Sequence, residues 1–145
     1  SYTGKLTGET IDVGHRMPDF MPIYLQTKKL VEHLTGSEHI IADGLARGAD
    51  QTRAFDDAMR FFGRNDFRII SIELSEASAI QRLLLRGRTD DTEEGIKNRL
   101  SWYRTDVLPQ LELLRERGRQ IYLIDGEPDI ETIHKDILAK LNLQG

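Results

Sequence analysis

The sequence predicts an α/β fold built on a parallel sheet, and three observations support this. Short apolar runs at 39–42, 67–74 and 121–124 alternate with stretches whose apolar residues recur at helical spacing. Each run is apolar enough for a strand covered on both faces, as in parallel sheets flanked by helices. Two of the runs close on Asp-Gly, at Asp43-Gly44 and Asp125-Gly126, and the carboxyl ends of strands are where such sheets bind ligands.

The elements follow in order. Residues 1–17 are rich in Gly and Thr and read as irregular. Ile23, Leu30, Val31 and Leu34 give a helix over 19–34, with Pro22 in its first turn, where proline is tolerated. The first strand covers 39–42. Phe55, Ala58, Met59 and Phe62 mark a helix over 49–62. The strand at 67–74 leads into a helix over 76–86 that Gly87 stops. A long helix begins after Asp91, which has the capping-box spacing to Glu94, and Ile96, Leu100, Tyr103 and Val107 lie along one face. Pro109 should kink or divide it, because proline lacks the N–H and clashes with the preceding turn. Gly118 ends its second part. The strand at 121–124 and a helix from 129, carrying Ile130, Ile133, Ile137, Leu138 and Leu141, complete the chain.

The 145 residues suit one domain with one core. The net charge of −4 argues against a general nucleic-acid binder, which needs clustered positive charge. With no cysteine, disulfides, thiol nucleophiles and cysteine-ligated zinc are excluded, and no structural zinc is expected. No apolar run approaches the roughly 18 residues of a membrane span, so no membrane partner is expected and a cytoplasmic location is. Ser1-Tyr2-Thr3-Gly4 has no signal-peptide pattern and no initiator Met, so residues are expected to have been lost upstream. His15, His33, His39 and His134 are scattered without metal-ligand spacing and read as structural or surface residues.

Two constellations carry chemistry. Arg82 and Arg86 are four apart on one helix, Arg88 follows a single glycine, and Arg99 lies two helical turns past Asp91. Four guanidinium groups could thus meet, with Asp90 and Asp91 holding them, and planar bidentate guanidinium suits phosphate oxygens. The same spacing also fits an exposed helix–loop–helix with surface ion pairs. In the second constellation Asp43, at a strand end, faces the crevice. Arg47 and Gln51 open the next helix, where they could bind a phosphate and a base edge. A plain turn and helix start fits this pattern as well.

Together these segments resemble the adenylate kinase family of P-loop nucleotide kinases. Residues 82–100 look like the family's lid and following helix, and Asp43-Gly44-Leu45-Ala46-Arg47 with Gln51 looks like its AMP signature. Gly14-His15-Arg16-Met17-Pro18-Asp19 resembles the segment closing the monophosphate-binding domain, and Ile124-Asp125-Gly126 the last strand and its turn. The resemblance implies a P-loop kinase-type parallel sheet flanked by helices on both faces. About 1–34 would be a remnant of the monophosphate-binding region, and about 86–91 a minimal lid.

It also implies roles. Arg82, Arg86, Arg88 and Arg99 look like the arginines on ATP phosphates and the transferring phosphoryl group, with Asp90 and Asp91 as lid aspartates. Arg88 and Arg99 would also touch the monophosphate. Arg47, Gln51, Gly44 and Met17 look like AMP ligands, with Gln51 reading adenine. Gly126 and Glu127, with Arg82 and Arg86, would lie along ATP. Asp43 resembles the carboxylate holding the water shell of Mg²⁺, which arrives with ATP. ATP and AMP are thus the implied partners. A kinase for UMP or CMP and a non-catalytic nucleotide-binding module remain as alternatives.

The sequence departs from the family in four places, one being that the family's arginine beside its Thr-Gly-Asp segment is missing, with Thr3-Gly4 as a poor remnant. It contains no Gly-x-x-x-x-Gly-Lys-[Ser/Thr] loop. The first strand and P-loop are therefore expected to be lacking, the chain alone to be inactive, and a second chain or missing N-terminal segment to complete the sheet. Ala46 stands where the family has a proline that is often cis. A cis bond before a non-proline costs about 2.5–4 kcal/mol, so a trans bond is expected. Only Gly87 separates Arg86 from Arg88, and so short a lid is expected to release product faster and to waste more ATP.

Overall fold

The computed structural model describes residues 1–12, 15–88 and 91–143. Its elements run α1 (Tyr2–Asp12), α2 (Phe20–His33), α3 (Ala49–Phe61), β1 (Arg68–Glu73), α4 (Glu76–Arg86) and α5 (Glu93–Trp102). A π-turn (Tyr103–Val107), α6 (Leu108–Glu116), β2 (Gln120–Asp125) and α7 (Ile130–Lys140) follow. The architecture is α/β: β1 and β2 form a parallel ladder, from Arg68 opposite Gln120 to Glu73 opposite Asp125, and helices flank it. A parallel pair needs a crossover, and here α4, α5 and α6 supply it.

The core lies between α3, α5, α6 and β2, where Phe55, Met59, Ile96, Leu114 and Ile124 are buried. Phe55 meets Phe67 edge to face at 5.4 Å between centroids, which fixes α3 against the start of β1. Beside this apolar centre lies a buried charge. Asp56 accepts hydrogen bonds from Arg117 Nη1 and Arg119 Nε, both at 2.7 Å, and Arg60 Nη2 lies 3.2 Å away. The Arg119 guanidinium also sits 4.6 Å over the Phe67 ring. Helix α3 is thereby tied to the turn between α6 and β2.

Local signals explain the element ends. Ser75 and Asp129 cap α4 and α7, accepting from Ser78 N and Thr132 N. Gly87, at φ +66°, ends α4 in the left-handed conformation that glycine adopts without strain. Pro109 divides the long helix as expected. The Leu108 N–H reaches back to Tyr103 O, one residue further than in an α-helix.

Three expectations are corrected. Residues 1–17 are not irregular, since 2–12 form α1. Gly and Thr lower helix propensity, but Ser1 Oγ accepts the Gly4 N–H at 3.1 Å and Thr10 Oγ1 donates to Leu6 O at 2.8 Å, which satisfies groups at the helix start and along its exposed face. The run 39–42 is not a strand. Ile41 is 96% exposed, and among the described residues only β1 and β2 form a ladder. An apolar run becomes a strand only beside a partner. Asp43 therefore lies in irregular chain and not at a strand end. Finally, Asp91 does not cap α5. Thr92 does, accepting from Gly95 N at 3.1 Å, because the Asp91 carboxylate is taken by arginines.

Candidate functional site

The site is assembled where α4 ends and α5 begins. Gly87 turns the chain so that Arg86, at the end of one helix, and Arg99, two turns into the next, face the same carboxylate. Arg86 grips Asp91 with a two-point fork, Nε to Oδ2 at 2.9 Å and Nη2 to Oδ1 at 2.7 Å. Arg99 Nη1 donates to Oδ1 at 2.7 Å, and the Arg88 backbone N–H donates to Oδ2 at 3.1 Å. The Asp91 side chain is fully enclosed. The hydrogen bond from Arg86, opposed by burial and reinforced by Arg99 and the Arg88 backbone, holds its carboxyl well below the usual carboxylate range. Two cations thus meet on one anion, next in sequence to the exposed Arg88 side chain. Asp90 lies outside the described residues.

Arg82 does not join this cluster. Its Nη1 and Nη2 donate to the carbonyls of Gly126 and Glu127, each at 2.8 Å. It lines an open depression of about 530 Å³ with Pro128, Asp129, Ile130 and Glu131. The loop after β2 is fixed from several sides. Gly126 N–H donates to Glu73 O at 2.8 Å, and Glu127 accepts from the Ser75 N–H at 2.7 Å and the Ser78 hydroxyl at 2.6 Å. The Ser78 and Ser75 hydrogen bonds lower the Glu127 carboxyl to about 2. A methyl group on Gly126 would stand 2.7 Å from Ile72 Cγ2 and 2.8 Å from Glu73 O. Gly126→Ala is therefore expected to destabilise the chain by about 1–3 kcal/mol, read as a lower urea midpoint.

The second constellation lies apart, at the start of α3. Gly44 has φ +65°, and Arg47 folds its guanidinium over the face that a Cβ would fill. Ala46 also has a positive φ, of 58°, and no described peptide bond is cis. Gln51 is 4% exposed, with its Nε2 donating to Asp19 Oδ1 at 2.8 Å and its Oε1 accepting the Arg47 N–H at 3.3 Å. Met17 is half-buried in the segment leading to Asp19.

Sequence reasoning missed Arg16 and Asp19 as a unit. Arg16 pairs with Asp19 at 3.3 Å and Asp106 at 3.6 Å and donates to Arg47 O at 3.1 Å. The i,i+3 spacing of Arg16 and Asp19 was the available signal. It also missed the grip of Ser75 and Ser78 on Glu127, for which Ser-x-x-Ser ahead of an apolar helix was the only clue.

Among the described residues no group of three or more His, Asp or Glu side chains could hold a metal ion. The described residues therefore form no resident metal centre. No described helix is long and apolar enough to cross a membrane.

The chain is 30% identical over 143 residues to an adenylate kinase of Azobacteroides pseudotrichonymphae genomovar. CFP2, covering 96% of this chain and 74% of that protein. It belongs to the adenylate kinase family. An adenylate kinase of Corynebacterium diphtheriae is 30% identical over 138 residues, with 95% and 74% covered. One from Synechococcus sp. (strain RCC307) is 30% identical over 141 residues, with 97% and 75% covered. No family model matches the chain. Family membership makes this a nucleoside monophosphate kinase-type enzyme fold, and it is against that background that the Asp91 cluster and the Asp19–Gln51 pair gain meaning.

Proposed function

We propose that the enzyme to which these residues belong transfers a phosphoryl group from Mg²⁺-ATP to AMP in the cytoplasm, as a step in nucleotide biosynthesis. The observation that carries this reading is the gathering of Arg86 and Arg99 on the enclosed Asp91 carboxylate, in a chain of the adenylate kinase family. Phosphoryl transfer asks a protein mainly for positioning and charge neutralisation, so no side-chain nucleophile is needed. Arg86, Arg88 and Arg99 neutralise the phosphates and the group in flight, and Asp90 and Asp91 keep these arginines from repelling one another out of the site. Arg82, Gly126 and Glu127 line the ATP side. Arg47, Gly44, Met17 and Gln51 serve AMP. Mg²⁺ enters as part of the ATP substrate, with Asp43 offering a carboxylate to its water shell.

The 145 residues hold no Gly-x-x-x-x-Gly-Lys loop, whose amides and lysine cradle the phosphates in P-loop enzymes. The bare chain is accordingly proposed to bind nucleotide without turning it over. A strand from a second chain or from a further segment would add beside β1, where Ile70 and Ile72 are 38% and 49% exposed. A coupled assay of the purified chain with ATP, AMP and Mg²⁺ should show no turnover, and a bisubstrate dinucleoside pentaphosphate should raise its melting temperature. Turnover by the bare chain would refute the first statement. No shift with any bisubstrate analogue, whether adenine or uridine on the acceptor side, would refute the second and leave a nucleotide-free module.

A further inference from the structure

We propose that Asp19 is a specificity-determining residue that fixes the orientation of the Gln51 side-chain amide and so decides which order of donor and acceptor on a base edge the site accepts. This deepens the proposed AMP role of Gln51 and rests on that role.

A glutamine amide is nearly symmetric in shape and opposite in chemistry at its two ends. One end donates, the other accepts, and a rotation about its last bond exchanges them. Left free, such an amide serves two bases with reversed hydrogen-bonding edges. Here it is not free. On one side stands the Asp19 carboxylate, which only accepts, and Gln51 Nε2 meets it at 2.8 Å. On the other stands the backbone N–H of Arg47, which only donates, and Gln51 Oε1 meets it at 3.3 Å. The short, charge-assisted contact to Asp19 dominates and the longer one to Arg47 agrees with it, and turning the amide over would lose both and set like against like. Gln51 is 4% exposed, so water offers little compensation for the reversed arrangement.

Asp19 is itself held in place. Arg16 Nη1 lies 3.3 Å from the same Oδ1 and donates to Arg47 O at 3.1 Å, so one guanidinium braces both neighbours of the amide. Gly48 makes room for this, since a Cβ there would run into Arg16 Nη1 and stand 2.9 Å from Asp19 Oδ2. The locked amide keeps one N–H and one lone pair unspent. Adenine presents an acceptor at N1 beside a donor at N6, whereas hypoxanthine presents a donor at N1 beside an acceptor at O6. A fixed amide distinguishes the two edges, and a rotating one does not.

The test is calorimetric titration of the 145-residue chain and its Asp19→Asn variant with AMP and IMP. Asparagine has the same shape but can present either end of its own amide, so the lock on that side is lost. The expected result is a preference for AMP in the unmutated chain that falls by about tenfold or more in the variant, mainly through tighter IMP binding. Equal weakening of both nucleotides, or an unchanged ratio, would assign Asp19 a merely structural role and overturn the proposal while the AMP reading stands. No binding of AMP to the unmutated chain would remove the AMP reading and this proposal together. A measurement without mutation guards against a misfolded variant. One Gln51 Nε2 proton should exchange with solvent far more slowly than in a free glutamine, and two fast-exchanging protons would also overturn the lock.

Discussion

Asp56→Ala is expected to lower the unfolding free energy by about 3–5 kcal/mol, the usual cost of removing one partner of a buried ion pair. The carboxylate is fully enclosed and answers Arg117, Arg119 and Arg60. Its removal leaves Arg119, whose side chain is only 8% exposed, facing two other cations. The lower end of that range is the firmer expectation, because Arg60 and Arg117 are partly solvated and can turn to water. Urea unfolding measures this, with Asp57→Ala as control. Asp57 is 71% exposed and should change stability by no more than about 0.5 kcal/mol. Equal effects of the two substitutions would remove the hub from the account of the fold.

The same carboxylate sets the response to acid. Burial pushes the Asp56 carboxyl up, but hydrogen bonds from Arg117 and Arg119 and the charges of Arg119 and Arg60 outweigh it, leaving it below its ordinary 3.8. Asp91 is held low as well. A carboxylate depressed by folding contributes stability that is complete above its unfolded pKa and lost as pH falls through its folded one. The chain should therefore keep this contribution down to about pH 4 and lose it progressively below. In Asp56→Ala that acid limb should be shallower.

The second large effect concerns binding. Arg88→Ala should weaken a bisubstrate dinucleoside pentaphosphate by about ten- to a hundredfold, the worth of one charge-assisted hydrogen bond. Because the Arg88 side chain is exposed, its loss should alter stability by less than about 0.5 kcal/mol. Asp91→Ala should weaken binding and lower the melting temperature together, since it releases Arg86 and Arg99 from their shared anchor. Titration calorimetry beside thermal unfolding separates the two patterns. Full affinity in Arg88→Ala would take the phosphates away from this cluster.

Much of the fold was legible because its signals are local. Helices α3, α4 and α7 carry apolar residues at helical spacing with caps at Gly87 and Asp129, and β1 and β2 are continuous apolar runs. What failed depends on partners distant in sequence. The run 39–42 has strand chemistry but no ladder, and α1 owes its start to one serine beneath a composition that argues against helix. Asp56 looks like a surface charge on α3, and nothing local announces two arginines 61 and 63 residues away. The site divides in the same way. Arg86, Asp91 and Arg99 are close in sequence and were read together. Arg82 belongs by spacing to that group, yet carbonyls 44 and 45 residues further on draw it off.

The wide turn at Tyr103–Val107 has a consequence for that grouping. Closing one residue late inserts a phase delay of about 100° between α5 and α6. Everything upstream is rotated by that angle against the half of the helix that α6 anchors through Leu114. The azimuth of Arg99 is thus set by a single surplus residue some distance away. Shortening the segment by one would turn that guanidinium and its carboxylate together, as a unit, against the part of the chain that α6 anchors.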